Sequence, residues 1–164
     1  MKKIYCGGPF SFDYKNENYI DAVKRDYRYH ILSDVNLLLN ESDYVLLNDK
    51  VKYIGPFYFE ADNKASDIVF LEKGMIEESD ILIFLLDSGL CPGTISELIY
   101  ASTLNKEIVI FYINYGDEFE TESELHTPCW YPIILSELIN ENVRVIECSK
   151  DNYIEKIKDF INLI

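Results

Sequence analysis

Apolar and polar positions along the chain alternate between two rhythms. Short apolar-rich runs recur at Lys2–Cys6, Val51–Phe57, Ile81–Leu86, Glu107–Tyr112 and Asn142–Glu147. Runs of this length, rich in Ile, Val and aromatic residues and closed by turn residues, predict β-strands. Ile81-Leu82-Ile83-Phe84-Leu85-Leu86 carries no polar alternation at all, which is the pattern of a strand buried on both faces of a parallel sheet. Gly7-Gly8-Pro9 closes the first run and Gly55-Pro56 breaks the second. Between the strands the period lengthens. Ile20, Val23, Tyr27, Ile31, Val35 and Leu38 recur at helical spacing across Asn18–Leu39, with an interruption expected near Ser33-Asp34. Asn63–Ser79 places Ala65, Ile68, Val69 and Met75-Ile76 on one side, and Gly93–Asn105, Tyr131–Ile139 and Asp151–Ile164 complete the predicted helices. The stretch Asn114–Pro128 is acidic and aperiodic, a loop expected near a site or an interface.

Strands alternating with helices predict an α/β fold. The expected form is a flavodoxin-like or Rossmann-like, doubly wound, five-stranded parallel sheet with helices on both faces. Residues 1–164 are read as one domain. A hydrophobic fraction of 48% and a charged fraction of 27% describe a globular chain rather than a disordered one. Thirteen Tyr and nine Phe suit a wet pocket or a subunit interface, or equally an AT-rich genome. The net charge of −14, from 29 acids against 15 bases, argues against a nucleic-acid polymer or an anionic membrane as partner. A small molecule held in a local pocket remains. No segment approaches membrane-spanning length, and the first apolar run is too short for a signal peptide. Cys6, Cys91, Cys129 and Cys148 form no C-x-x-C pair, and His30 and His126 form no zinc pattern. A reduced, cytoplasmic protein that uses no metal and no organic cofactor is the expectation.

Ligands of open parallel sheets bind beyond the carboxyl ends of the strands. Tyr5 with the Gly7-Gly8-Pro9 turn, Asp87 with the loop to Pro92, and Gly93-Thr94-Ile95-Ser96-Glu97 all arrive there. A carboxylate in the first turn of a helix feels the positive end of its dipole and stays ionised. Such a group suits attack on the anomeric carbon of a sugar. Thr94-x-x-Glu97 is also the pattern of a capping box, and spacing alone favours that reading. Cys91, just ahead of the same helix, has the setting of an activated thiol. No arginine follows it at phosphatase spacing, however, and both histidines are distant in sequence.

Four motifs decide more together than separately. Lys3-Ile4-Tyr5-x-Gly7-Gly8-Pro9-Phe10, Ser79-Asp80-Ile81, Leu86-Asp87 and Gly93-Thr94-x-x-Glu97-Leu98-x-Tyr100-Ala101, with Asn105-Lys106 ahead of the next strand, follow in order from Lys2 to Tyr112. In order and spacing this resembles the nucleoside 2-deoxyribosyltransferase family. The resemblance implies that Glu97 is a nucleophile forming a covalent glycosyl intermediate and that Tyr5 orients it. Glu72 falls where the family has an Asp that exchanges a proton with the nucleobase; it is one methylene longer, and is otherwise a solvated helix glutamate. Asp13 matches an acidic position near the substrate, or is an exposed turn residue. Gly7, Pro9, Phe10, Asp87, Gly93 and Thr94 are the further substrate-binding candidates. Cys91 joins them as a departure, because transferases carry an Asp there and a thiol is a poor acceptor; either Asp87 takes over that contact or the substrate differs.

His126 and Trp130 are candidates to reach a neighbouring subunit's pocket in a homo-oligomer. The implied reaction cleaves the N-glycosidic bond of a (deoxy)nucleoside and transfers the sugar to a free nucleobase or to water. Relatives that hydrolyse nucleoside 5′-monophosphates also lack the Asp at the Cys91 position, but are richer in Ser, Gly and Arg around the first turn. Here only Lys15 and Lys24 or Arg25 stand nearby, which favours a bare nucleoside. A monophosphate N-glycosidase is the alternative. A catalytically weak nucleoside- or nucleotide-sensing module, or an oligomer in which Glu97 only caps its helix, would also fit.

Overall fold

The computed structural model describes residues 1–10, 15–32, 44–57, 65–87, 92–113 and 142–164. Its strands are β1 (Lys2–Gly7), β2 (Val45–Leu46), β3 (Val51–Gly55), β4 (Ile81–Leu86), β5 (Glu107–Ile113) and β6 (Val143–Cys148). Its helices are α1 (Tyr19–Arg25), α2 (Tyr27–Ile31), α3 (Ala65–Glu78), α4 (Pro92–Ser102) and α5 (Tyr153–Leu163). The sheet runs β2-β3-β1-β4-β5-β6. Every pairing is parallel except that of β2 with β3.

Without β2, the five parallel strands stand in the expected flavodoxin-like order. The sixth strand corrects the five-stranded expectation. Val45–Leu46 is too short to show any period, and it is made by a turn. Asn48 Oδ1 accepts from Lys50 N and Val51 N at 2.8 and 2.9 Å, folding the chain back so that Leu47 N reaches Val51 O at 3.0 Å.

Strand alternation divides the core between two faces. Ile81, Ile83 and Leu85 join Ile4 and Cys6 under α1, α2 and α5, through Val23, Tyr27, Ile31, Ile157 and Ile161. Leu82, Phe84 and Leu86 join Tyr5 under α3 and α4, through Ile76, Leu98 and Ala101. All six residues of β4 are buried, as expected of a central parallel strand.

Two helices differ from their predicted form. The Asn18–Leu39 helix breaks at Asp26, earlier than expected, because Asp26 is extended (φ −68°, ψ 140°) and its carboxylate caps Arg28 N. Val23, Tyr27 and Ile31 stay in phase across the break, so periodicity alone could not register it. The expected Ser33-Asp34 interruption, the Tyr131–Ile139 helix and the Asn114–Pro128 loop lie outside the described residues. On α3, Ile76 is buried as predicted, whereas Val69 is 56% exposed beside the exposed Phe70 and Leu71.

Candidate active site

The carboxyl ends of β1 and β4 meet α3 and α4 around one carboxylate. Tyr5 points to the α3/α4 face and is wholly buried, its ring 6.3 Å from that of Phe84. Two residues on, β1 ends at Gly7. A Cβ there would lie 2.5 Å from Phe84 Cδ1 and Cε1 and 2.8 Å from Glu97 Oε2. Glycine is therefore required for the carboxylate of Glu97 to rest against the strand end. Gly8 is equally constrained, since its Cβ would meet Tyr27 Cε1 at 2.7 Å.

Glu97 does not sit where its spacing suggested. Helix α4 begins at Pro92, a residue pre-shaped for a first helical position. Thr94, which is buried, and Glu97 are therefore its third and sixth residues. A Thr94-x-x-Glu97 capping box needs Thr94 ahead of the helix, so that reading falls. The expectation of a carboxylate kept ionised by the helix dipole falls with it, because that effect fades beyond the first turn.

Burial instead governs the charge. Desolvation and the neighbouring Glu72 carboxylate push Glu97 up to about 7, while Tyr5 and Arg28 pull it back. Glu72, half-buried on α3, is raised by its own burial and eased by Arg28. Tyr5 is raised far above the ordinary phenol range, by burial first and then by the charges of Glu97 and Glu72. The Tyr5 hydroxyl lies near enough to favour ionised Glu97, yet neither Tyr5 Oη nor Glu97 Oε2 has a partner at full hydrogen-bond geometry. Such contacts commonly tighten only when substrate arrives. Two interacting carboxyls, both raised by burial, thus stand beside a phenol, an environment of the kind in which acid–base groups are found.

The other candidates separate. Asp87 directly follows β4 and, with Pro9 and Phe10, lines a cleft of about 240 Å³ on the α1/α5 face. Arg25, Asp26, Tyr27 and Tyr153 complete its polar and aromatic lining. This cleft opens at the β1–β4 junction, where the strand order reverses and ligands of such sheets bind. Gly93 is exposed, with open space where a Cβ would stand. Asp13, Cys91, His126 and Trp130 lie outside the described residues. Among the described residues, no group of three or more His, Cys, Asp or Glu could hold a metal ion, and no helix is long and apolar enough to cross a membrane.

Sequence reasoning missed Asp26 and Arg28, and it placed Tyr27 on the apolar face without a role at the strand end. The one signal of the pair is an Asp two residues before an Arg in an otherwise amphipathic stretch. The structure buries all three.

No protein-family model matches the chain, and no curated protein matches it. Solved structures do. The CMP N-glycosidase BcmB of Clostridium botulinum superposes with a TM-score of 0.54 at 18% identity, over 97% of this chain and 99% of that one. The FeoB G-domain of Methanococcus jannaschii gives 0.53 at 14% identity, over 99% and 96% of the two chains. The elongation factor SelB of Methanococcus maripaludis, solved with a GTP analogue, gives 0.52 at 14% identity; the match covers 99% of this chain and 33% of that one.

At these identities the likeness is one of fold: a doubly wound α/β sheet shared by proteins of different activity. The P-loop of NTPases requires Gly-x-x-x-x-Gly-Lys-Ser/Thr. No glycine of this chain is followed by lysine.

Proposed function

We propose that this chain is an enzyme that breaks the N-glycosidic bond of a nucleoside or nucleoside 5′-monophosphate, with Glu97 as nucleophile. The observation that carries the reading is the seat of Glu97, with its carboxylate buried against Gly7 and flanked by Tyr5 and Glu72. The motif order of the first two thirds of the chain and the whole-chain likeness in fold to a CMP N-glycosidase support it.

In the first step, Glu97 bonds to the anomeric carbon as the carbon–nitrogen bond breaks. The bonding pair leaves on the base nitrogen, which takes a proton from Glu72. In the second step, water or another base attacks the same carbon, Glu97 departs as carboxylate, and the released proton returns to Glu72. The reactive form is therefore the singly protonated pair, with the proton on Glu72. Burial and the Glu72 charge favour the proton on Glu97, so Tyr5 and Arg28, which favour ionised Glu97, act towards the reactive form.

A monophosphate substrate is the second reading. Arg25, ion-paired with Glu17, lines the cleft beside Pro9 and Phe10 and is the cation nearest the first turn in that lining. The fold neighbour acts on a monophosphate as well.

Incubating the protein with cytidine, deoxycytidine, CMP and dCMP, each with and without a second free base, tests the proposal. Released base is expected, with new nucleoside or nucleotide formed if the sugar is transferred. Glu97→Gln abolishes release, and intact-mass analysis of wild type shows a sugar adduct that the variant lacks. Unchanged turnover in Glu97→Gln rejects the mechanism. Binding without turnover of any purine or pyrimidine analogue replaces the enzyme by a sensing module.

A further inference from the structure

Two adjacent side chains of α2 hold the end of the strand on which Glu97 rests. Tyr27 Oη donates to Gly7 O at 2.8 Å, and Arg28 Nη1 donates to Cys6 O at 3.3 Å. The last two carbonyls of β1 are thus both taken by α2. Arg28 is itself held in a fork, with Nε donating to Asp26 Oδ1 and Nη2 to Asp26 Oδ2, each at 2.8 Å. Its guanidinium carbon stands 5.2 Å from the centre of the Tyr27 ring. Among the described residues it is the only buried Lys or Arg.

A buried ion pair is a weak source of stability, because desolvating both ions offsets most of their attraction. The orientation of this pair points to another use. The positive charge of Arg28 eases ionisation of Tyr5, Glu72 and Glu97. The negative charge of Asp26 does not bear on those three; it acts together with Arg28 on Cys6 and Tyr27, and without Arg28 on Tyr153. The pair is a fixed dipole with its positive end towards the acidic centre.

We propose that Arg28 is a positioning residue for Glu97: with Tyr27 it pins the end of β1, and it presents a buried positive charge to the carboxylate seated on Gly7. The groups acting on Glu97 are then Tyr5 from β1, Glu72 from α3 and Arg28 from α2, with Arg28 opposing Glu72. The consequence for turnover rests on the proposed function; the electrostatic part does not.

The test is a carbon-13 NMR titration of the Glu97 carboxyl in substrate-free protein, its resonance identified by loss in Glu97→Gln. The double variant Asp26→Asn/Arg28→Met removes both charges and leaves no ion buried alone. Its Glu97 midpoint should rise by about one pH unit. The acidic limb of turnover should follow it upward, with KM within about twofold of wild type. Arg28→Lys, which keeps the charge but draws it back on a different stem, should give a smaller rise and decides the matter if the double variant does not fold. Tyr27→Phe removes only the strand pin and should lower kcat without moving the midpoint. A midpoint that stays put or falls in the Arg28 variants overturns the proposal. Because the titration needs no substrate, a shift without base release would sink the proposed function alone. Base release that depends on Glu97, without a shift, would sink only the role of Arg28.

Discussion

Glu97→Gln should make this protein more stable while removing its activity. The folded chain lifts the Glu97 carboxyl from the ordinary 4.5 to about 7, so it binds the proton more tightly than the unfolded chain does. The sign of the linkage follows. Below about pH 4.5 both states are protonated and the contribution to stability is whole. It is lost as the pH climbs to about 7, above which a charged, half-buried Glu97 opposes folding. At about 1.4 kcal/mol per pH unit the interval is worth roughly 3 kcal/mol, and partial solvent access trims this to roughly 2–3 kcal/mol. Glutamine has nearly the same shape and cannot ionise. The variant should match wild type near pH 4 and exceed it by roughly 2–3 kcal/mol near pH 8. For a chain of this size that is a rise in Tm of roughly 5–10 °C. Urea unfolding followed by far-UV circular dichroism at several pH values measures the difference directly. A difference that stays flat with pH, or a variant that is weaker at pH 8, refutes the reasoning, because Glu97 would then be solvated like any surface carboxylate.

Three further substitutions probe the same centre. Tyr5→Phe removes a buried hydroxyl that lacks a well-formed partner. Stability should therefore change by less than about 1 kcal/mol, while turnover falls about tenfold and its acidic limb moves to higher pH; an unmoved limb in the pH–rate profile would remove Tyr5 from the mechanism. Gly7→Ala drives a methyl into Phe84 and the Glu97 carboxylate, so unfolding should show a loss of roughly 1–3 kcal/mol and turnover should drop by about a hundredfold or more. Full activity in that variant would mean the carboxylate works elsewhere. Glu72→Gln removes the like charge that raises Glu97, so the acidic limb should move to lower pH. Turnover should fall by about 10²–10⁴ for ordinary bases and far less for a base that departs readily. Equal losses across leaving groups would deny Glu72 the role of general acid.

What the sequence discloses is whatever repeats along it. The unbroken apolar run of Ile81–Leu86 marks a central strand by composition alone, and strand–helix alternation then forces a parallel sheet. Val45–Leu46 was invisible, because two residues have no period and their pairing depends on an asparagine side chain folding the chain back. The candidate site was legible as a set of motifs at strand ends, yet its electrostatics were not. Spacing assigned Glu97 to a first turn and a favourable dipole. The helix in fact starts at Pro92, and burial beside Glu72 reverses the expected effect. Asp26 and Arg28 were illegible for a related reason. A charged pair in an amphipathic stretch looks solvated until its arginine is seen to be held by the aspartate and to donate to a strand-end carbonyl.

The likeness in fold to G-domains throws the end of β1 into contrast. In a P-loop, the turn after the first strand wraps a phosphate with backbone N–H groups and a lysine. Here the residue that closes β1 is a glycine for the opposite reason, since its missing side chain makes room for a carboxylate from α4. An anion held there repels another anion, so the strand end that cradles phosphate in P-loop proteins is closed to it in this chain once Glu97 ionises. The uncharged ring of a sugar has no such conflict. On the proposed reading, a substrate phosphate would lie on the other side of β1, where Arg25, ion-paired with Glu17, lines the cleft with Pro9 and Phe10. On the proposed reading, the sheet thus divides one ligand between its faces: bond breaking under α3 and α4, and recognition under α1 and α5.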